Sequence, residues 1–391
     1  MPLPIVLLLF LFSSLQYVFQ NLITPSQQLK TITYHKQFKV SPILGSMIKT
    51  VSIFASIFTV EYDYNDITYP ISFHDLVNKK ESRYEQFGKQ FDGLPKEVKT
   101  GIIPSYEYQS SDVLLMTGAS NNHVFSSFNC LYSMILADPF GSYMYLDLNI
   151  SFPYRTRLYY HLSSLLSIQQ RIGSRGFIVY RRLNWNNFPD WLRIDKNSDQ
   201  VGGYGWKVIP IMDAFFEWKA VVYWVDAGCI FESNLNKEVS LARHYGLYTP
   251  QSSGSIGMWV HNETQEFMLK HGLLHSRVSS NERMGSGGIL VLNYQNDTIR
   301  NDFSSVYLEC AYTQMCISPR GSNMFNHRQD QAILSLLVAD LHIPYSARYG
   351  FGGRPLHHQD VGMNEQKLQE RIVPIVQRIN LFYNLSITVY G

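Results

Sequence analysis

Short apolar runs alternate with segments of helical spacing between residues 112 and 225. Four apolar runs predict buried strands: 113–116, 143–148, 177–180 and 221–225. Three segments with apolar residues at helical spacing predict helices: 124–136, 158–172 and 206–216. Strands that alternate with helices in this way are typical of a parallel sheet covered on both faces. The pattern therefore predicts a doubly wound, mostly parallel α/β fold.

The amino-terminal 111 residues do not follow this pattern. Residues 3–12 are almost continuously apolar, and the first charged side chain of the chain is Lys30. Such a segment is typical of a signal peptide or, if it extends to Ile23, of a membrane anchor, with a buried core helix as the alternative. We interpret 1–24 as a signal peptide or signal anchor, 25–111 as a stem and 112–391 as the folded domain.

This interpretation places the protein in the secretory pathway, either on the luminal side of the endoplasmic reticulum or Golgi membrane or secreted. An uncleaved amino-terminal segment would bind the membrane. A second short apolar stretch at 51–60 follows Met47, so translation from Met47 is a further alternative. Cys310 and Cys316 enclose a short polar loop and would form a local disulfide in an oxidising lumen.

Charge excludes one class of partner. Lys and Arg total 33, Asp and Glu total 31, the net charge is +2 and only 16% of the residues are charged. A chain without a basic excess has no general electrostatic attraction for DNA or RNA. We therefore expect no nucleic-acid partner.

Several common catalytic signatures are absent from the sequence. It contains no GxxxxGK[ST] loop, no HExxH, no GxSxG and no GxGxxG after the first strand. What remains is a set of polar turns, of which 117–123 and the turn at Asp226 each follow a predicted strand. Ligands of doubly wound sheets bind at the carboxyl ends of the strands. These two turns are therefore the first candidates for a binding site.

The polar turns also occur in a characteristic order. The motifs are TGASNNH at 117–123, YGWK at 204–207, WVDAG at 224–228, QSSGSI at 251–256, the Cys-flanked loop at 310–316 and NHRQDQA at 326–332. In this order they resemble nematode-expanded families of unknown function that are similar to GT-A nucleotide-sugar glycosyltransferases of family 8. The resemblance implies a GT-A-like nucleotide-diphospho-sugar transferase fold over 112–391.

By this resemblance, Asp226 corresponds to the first acid of a metal-binding DxD motif, with Gly228 in place of the second acid. The implied metal ligands are Asp226 and a late histidine, His357 or His358. The implied cofactor is a divalent cation, Mn²⁺ or Mg²⁺, which neutralises a diphosphate leaving group when the sugar–phosphate bond breaks. The alternative is that Asp226 only caps the turn after its strand.

The resemblance also assigns residues to the donor. Catalytic roles fall on Asp226 and on Asp330, whose motif approaches the transferred sugar in family 8. The implied donor-contacting residues are Thr117, Gly118, Ser120, Asn121, His123, Lys207, Gly287 and Gln331. The structural alternatives are helix capping by Ser120, Asn121 or Asp330 and a solvated helix charge at Lys207.

Three functional hypotheses follow. The first is a glycosyltransferase that moves a sugar from a nucleotide-diphosphate donor, first of all a UDP-sugar, to a glycan or protein hydroxyl. The second is a non-catalytic luminal relative that binds glycans or acts as a scaffold, because Gly228 replaces the second acid. The third is a metal-dependent hydrolase that uses Asp226 with His357 and His358.

Overall fold

The computed structural model describes residues 112–174, 176–183, 185, 188–194, 202–344, 356–358 and 360–387, which lie in one compact unit. The proposed signal segment and stem lie outside the described residues. Among the described helices, none combines the length and the apolar character that a membrane span requires.

Ten strands are present in the described residues: β1 Val113–Ala119, β2 Ser142–Asp147, β3 Ile178–Arg182, β4 Val221–Val225, β5 Cys229–Phe231, β6 Leu247–Tyr248, β7 Gln251–Ser255, β8 Arg283–Gly285, β9 Ile289–Asn293 and β10 Leu356–His358. The α-helices of the described residues are α1 Val124–Ala137, α2 Phe152–Arg171, α3 Gly205–Trp218, α4 Asn236–Tyr245, α5 Ile256–Trp259, α6 Asn262–Lys270, α7 Ser304–Tyr312, α8 Gln314–Ile317, α9 Gln329–Asp340 and α10 Glu365–Tyr383. Short 3₁₀ turns occur at Asn121–His123, Asp190–Leu192 and Gly202–Tyr204, and a π-helix at Thr298–Phe303 leads into α7.

The central sheet has six strands in the order β3-β2-β1-β4-β9-β6. Strands β3, β2, β1 and β4 are parallel, whereas β9 is antiparallel to both β4 and β6. Two further pairs, β10 with β5 and β7 with β8, are antiparallel. The predicted α/β fold with a mostly parallel sheet is confirmed.

Each face of the sheet has its own hydrophobic core, because successive strand residues point to opposite faces. Leu114 and Met116 of β1 pack in one cluster together with α3, α7 and α9. Val113 and Leu115 pack in the other cluster together with α1, α2 and α10. The helices on both faces make the sheet doubly wound.

The strand order reverses between β1 and β4. The chain runs outward from β1 through β2 to β3 and then returns to the other side of β1 to form β4. At such a reversal the connections leave the carboxyl ends of the two strands in opposite directions and open a crevice between them. The residues that follow β1 and β4 therefore line this crevice.

Strand β1 is longer than the apolar pattern predicts. It continues to Ala119 because 117–119 pair in register with 145–147 of β2. Gly118 lies opposite Leu146, and a Cβ atom at Gly118 would be 2.6 Å from the Leu146 Cβ. The glycine therefore serves the close approach of two strands.

The expected disulfide between Cys310 and Cys316 is present. It joins the end of α7 to α8, with the two Cα atoms 5.0 Å apart. Cys130 and Cys229 are buried free thiols.

Candidate functional site

Asp226 is the first residue after β4 and lies at the switch point of the sheet. Its side chain is 39% exposed, and its Oδ1 accepts a hydrogen bond from Trp224 Nε1 at 2.9 Å. Its backbone N–H donates to the Gly288 carbonyl at 2.9 Å. Within the described residues Oδ2 accepts no hydrogen bond, so this oxygen is available to a ligand.

Lys207 lies in the first turn of α3 and points into the protein. Its ammonium Nζ is 2.6 Å from Asp330 Oδ2 and 3.7 Å from Asp226 Oδ1, and it donates to the Gly287 carbonyl at 2.9 Å. The side chain is buried, so the alternative of a solvated helix charge is wrong. Lys207 thus joins the end of β4, the turn before β9 and the start of α9.

Burial and charge shift the pKa values of this group in a consistent way. Burial raises the pKa of Asp330 to about 6, although Lys207 opposes the shift. Burial alone would lower the pKa of Lys207, but the carboxylates of Asp226 and Asp330 outweigh it and hold that pKa above its usual value. With both acids ionised, two carboxylates and one ammonium carry a net charge of −1.

A glycine turn covers the two carboxylates. A Cβ atom at Gly288 would be 3.1 Å from Asp226 Oδ2, and one at Gly287 would be 3.2 Å from Asp330 Oδ2 and 3.0 Å from Gln331 Cβ. The turn can approach both acids because it has no side chains at these positions. These contacts therefore bring together four of the predicted residues: Lys207, Gly287, Asp330 and Gln331.

The structure places Asp330 beneath the glycine turn. Its side chain is buried there and paired with Lys207, and its approach to a transferred sugar stays a prediction. Its contact with the ammonium makes it a positioning residue for Lys207. The simple helix-cap alternative is incomplete as well, because the carboxylate pairs with a side chain of α3.

The predicted nucleotide loop is only partly in the crevice. Ser120 is half-buried, and Asn121 and His123 are exposed at the carboxyl end of β1. Thr117 and Gly118 belong to the buried strand β1, and their contact with a nucleotide stays a prediction. The accessible loop is thus 120–123.

Side chains of this loop bond to neighbouring segments. Ser120 Oγ donates to Asn122 Oδ1 at 2.5 Å, and Asn121 Oδ1 accepts from the Ser151 backbone N–H at 2.7 Å. Neither Ser120 nor Asn121 makes a side-chain cap, so the capping alternative is wrong.

His123 is held by a carboxylate that the sequence analysis missed. His123 Nδ1 is 2.6 Å from Asp360 Oδ2, and Asp360 also accepts from Ser126 Oγ and from the Gly362 N–H. Although burial opposes it, the hydrogen bonds from Ser126 and Gly362 and the nearby His123 lower the pKa of Asp360. No motif identified Asp360, because its partners are distant in the sequence.

The two late histidines lie near Asp226 by backbone position. In the pairing of β10 with β5, His358 is opposite Cys229 and His357 is opposite Ile230. Strand β5 begins three residues after Asp226. The backbone thus brings the histidine pair beside the WVDAG turn, and their side chains lie outside what the structure describes.

Asp226 fits a divalent cation as a single protein ligand. Among the described residues no group of three or more His, Cys, Asp and Glu side chains is arranged to hold a metal ion. Mg²⁺ is commonly held by one or two carboxylates together with substrate phosphates. The open Oδ2 atom of Asp226 and the net negative charge of its surroundings suit a cation whose remaining ligands come from a diphosphate.

Tyr204 is a further residue of the site. It belongs to the YGWK motif, but the resemblance assigned no role to it. Its ring centroid lies 5.4 Å from Lys207 Nζ. Burial raises its pKa, which is also affected by the charges of Lys207, Asp330, Asp226 and Arg328. Tyr204 has a φ of +55°, a left-handed conformation that costs energy for a bulky residue.

Comparison with known proteins gives similarities of structure only. No family model matches the sequence, and no curated protein matches it. The bifunctional glycosyltransferase WbbM is 13% identical with a TM-score of 0.38; the match covers 61% of this chain, which spans 39% of the length of WbbM. Core-mannan synthase A from Aspergillus fumigatus, in its Mn/GDP form, is 9% identical with a TM-score of 0.40. The match covers 62% of this chain and 78% of the synthase.

The galactosyltransferase LgtC, in complex with donor and acceptor sugar analogs, is 14% identical with a TM-score of 0.35; the match covers 67% of this chain and 95% of LgtC. These TM-scores are too low for the similarities to indicate a function.

Proposed function

We propose that the protein is a glycosyltransferase that moves a sugar from a nucleotide-diphosphate donor to a glycan or protein hydroxyl. The observation that carries this proposal is the convergence of Asp226, Lys207 and the 120–123 loop at the switch point between β1 and β4. Ligands bind doubly wound sheets at this position. A UDP-linked sugar is the first donor to test, and the secretory pathway is the proposed location.

In this proposal the 120–123 loop binds the nucleoside. Asn121 and His123 are exposed there, and amide, hydroxyl and imidazole groups suit a base or ribose. The Asp360 carboxylate, 2.6 Å from His123 Nδ1, fixes the orientation of that ring and leaves Nε2 for the ligand. Ser120 and Asn121 keep the loop in place through their own hydrogen bonds.

Asp226 then lies beside the diphosphate. Trp224 Nε1 and Lys207 both engage Oδ1, so the carboxylate is oriented with Oδ2 free. Asp226 would hold a divalent cation, with His357 or His358 as a further candidate ligand; such a cation would neutralise the leaving diphosphate. Lys207 and Asp330 would keep Asp226 in position, while the glycine turn excludes water from the buried pair.

Binding of nucleotides to the full chain tests the proposal. A thermal-shift screen would use UDP, GDP, CMP and their sugar conjugates, each with and without Mn²⁺. A ligand that binds only the native state raises the melting temperature by mass action. We expect one nucleotide to stabilise the protein with Mn²⁺. Asp226→Asn should abolish that shift, and the matched control Asp302→Asn, an exposed acid of the π-helix, should retain it. The absence of a shift with every nucleotide would overturn the proposal.

The second candidate is a non-catalytic glycan-binding protein of the same fold. The observation that favours it is Gly228 at the second acidic position, which leaves Asp226 as the one carboxylate of the WVDAG turn. This candidate predicts that oligosaccharides stabilise the protein without any nucleotide. A transferase predicts release of the nucleoside diphosphate from the donor, faster with an acceptor present than in water alone.

A further inference from the structure

Arg328 carries a guanidinium group that the donor site does not use. The residue is half-buried, and its Cζ lies 4.2 Å above the centroid of the Trp259 ring. Its backbone N–H donates to the Trp259 carbonyl at 3.0 Å, so both ends of the residue are fixed on Trp259. In the part of the chain that the structure describes, no carboxylate forms an ion pair with this guanidinium. A fixed cation without a partner is suited to an anionic ligand.

The position of Arg328 places it in the candidate site. It lies two residues before Asp330, at the start of α9. Its charge affects the pKa of Tyr204, as do the charges of Lys207, Asp330 and Asp226. Arg328 also adjoins the glycine turn, because its carbonyl accepts from the Gln331 N–H at 2.9 Å and Gln331 Cβ is 3.0 Å from the place of a Cβ at Gly287.

The strand order gives the side of the site on which Arg328 lies. The nucleoside loop follows β1, and Asp226 follows the adjacent strand β4. Trp259 belongs to α5, which follows β6 and β7, and β6 lies beyond β9 on the far side of β4. Trp259 thus belongs to the part of the chain that follows β6, on the β9 side of β4, whereas the nucleoside loop follows β1 on the other side.

A polar strand borders the same region. Strand β7, QSSGS, contains no apolar side chain, and most of its residues are half-buried. Trp259 Nε1 contacts Gly254, at the place that a Cβ atom would occupy. The turn that covers Asp226 and Asp330 is bonded to the residues just before β7, because Ser286 N–H donates to the Pro250 carbonyl at 2.9 Å. Hydrogen bonds and close contacts therefore connect the glycine turn, β7 and the Arg328–Trp259 pair.

We infer that Arg328, stacked on Trp259, binds an acidic group of a carbohydrate, the carboxylate of a uronic acid or a sulfate. The inference rests on the proposed function for the direction of the ligand. With the nucleoside at 120–123 and the diphosphate at Asp226, the ligand that reaches Arg328 is the transferred sugar or the acceptor. A planar guanidinium donates two parallel hydrogen bonds to a carboxylate or sulfate, and the aromatic ring beneath it limits its motion.

The first experiment tests the donor as the source of the acidic group. Calorimetry on the full chain would compare UDP, UDP-glucose and UDP-glucuronic acid for wild type, Arg328→Gln and Arg371→Gln, an exposed arginine of α10 that serves as the control. If the donor is acidic, wild type binds UDP-glucuronic acid about tenfold more tightly than UDP-glucose. Arg328→Gln should lose this preference while its affinity for UDP is unchanged, and Arg371→Gln should behave like wild type.

The second experiment tests the acceptor. A hyaluronan hexasaccharide, which carries glucuronic acid, is compared with the neutral chitohexaose for the same three proteins. A preference for the acidic oligosaccharide that disappears only in Arg328→Gln identifies the acceptor as the source. The inference is overturned if wild type prefers no acidic ligand in either experiment, or if Arg328→Gln keeps the preference.

Failure of the proposed function has a different signature. It appears as the absence of UDP, GDP and CMP binding in every variant. In that case, the comparison of the hyaluronan hexasaccharide with chitohexaose tests the role of Arg328 by itself.

Discussion

At the scale of single residues, Lys207 is the side chain that connects the segments of the candidate site. Its ammonium contacts groups from three segments that are distant in the sequence, and two of these groups are carboxylates. Removing one partner of a buried ion pair leaves the other charge without compensation, which costs more than the pair contributes. Lys207 therefore affects both the stability of the domain and the orientation of Asp226.

Lys207→Met should lower the free energy of unfolding by about 3–5 kcal/mol, because Asp330 is left buried and unpaired. Urea denaturation of the full chain measures the change. The control is Lys270→Met at the exposed end of α6, for which we expect a change within about 0.5 kcal/mol. Equal, small changes in the two variants would contradict the assigned role.

Asp330 provides a prediction for the pH dependence. Its pKa is raised from 3.8 to about 6, so the folded state binds this proton more tightly than the unfolded state. The contribution of Asp330 to the free energy of unfolding is therefore greatest below pH 3.8 and falls as the pH rises to about 6. The difference in this free energy between wild type and Asp330→Asn should fall by up to about 3 kcal/mol across that range.

Denaturation of both proteins at a series of pH values measures this difference. A difference that is constant between pH 4 and 6, or one that grows with pH, would show that Asp330 is not the group with the raised pKa.

At residue level, the motifs predicted the members of the site better than their roles. Asp226, Lys207, Gly287, Asp330 and Gln331 were identified from short polar patterns, and the structure brings them together. The burial of Asp330 was not predictable, because it depends on the glycine turn that precedes β9. The stacking of Arg328 on Trp259 was not predictable either, since Trp259 is distant in the sequence and belongs to none of the motifs.

At the scale of elements, local pattern predicted the strands and helices between residues 113 and 225. The helical spacing gave α1 and α3 to within two residues at each end, and β4 was predicted without error. The end of β1 was missed because Thr117 and Gly118 are polar or small, and only pairing with β2 makes them part of the strand. Such pairing is a long-range property that one segment does not encode.

The starts of α3 and α9 show the same limitation. Tyr204 and Gln329, at the beginnings of these helices, both have positive φ values, +55° and +40°. Neither residue type favours this conformation, so tertiary contacts must impose it. The two strained residues flank the helices that supply Lys207 and Asp330, and strain of this kind clusters at functional sites.

The disulfide is the covalent constraint between elements α7 and α8. Its loop is short, so opening it should lower the free energy of unfolding by about 2 kcal/mol in the chain-entropy estimate. Reductant should therefore lower the urea midpoint of wild type, measured alongside a thiol titration. The double variant Cys310→Ala with Cys316→Ala should show no response to reductant. A wild-type midpoint that is unchanged after the thiol titration reports an open bond would contradict this contribution.

At the scale of the whole molecule, the site depends on the topology of the sheet. The alternation of strands and helices predicted that 117–123 and Asp226 lie at carboxyl ends of strands. The structure adds that these strands, β1 and β4, are neighbours and that the strand order reverses between them. The contribution of β9 was not predictable, because this strand enters the sheet antiparallel and carries the glycine turn to Asp226. The arrangement of charged groups at the site therefore depends on the complete fold and could not be predicted from single segments.

The proposed function requires that a nucleotide binds in the crevice between β1 and β4. Hydrogen exchange of the full chain, with and without a saturating concentration of the nucleotide that the thermal-shift screen identifies, locates the site directly. We expect slower exchange at amides of 120–124, 225–229 and 286–289, and unchanged exchange along α10. Protection confined to other segments, with these three unchanged, would contradict it.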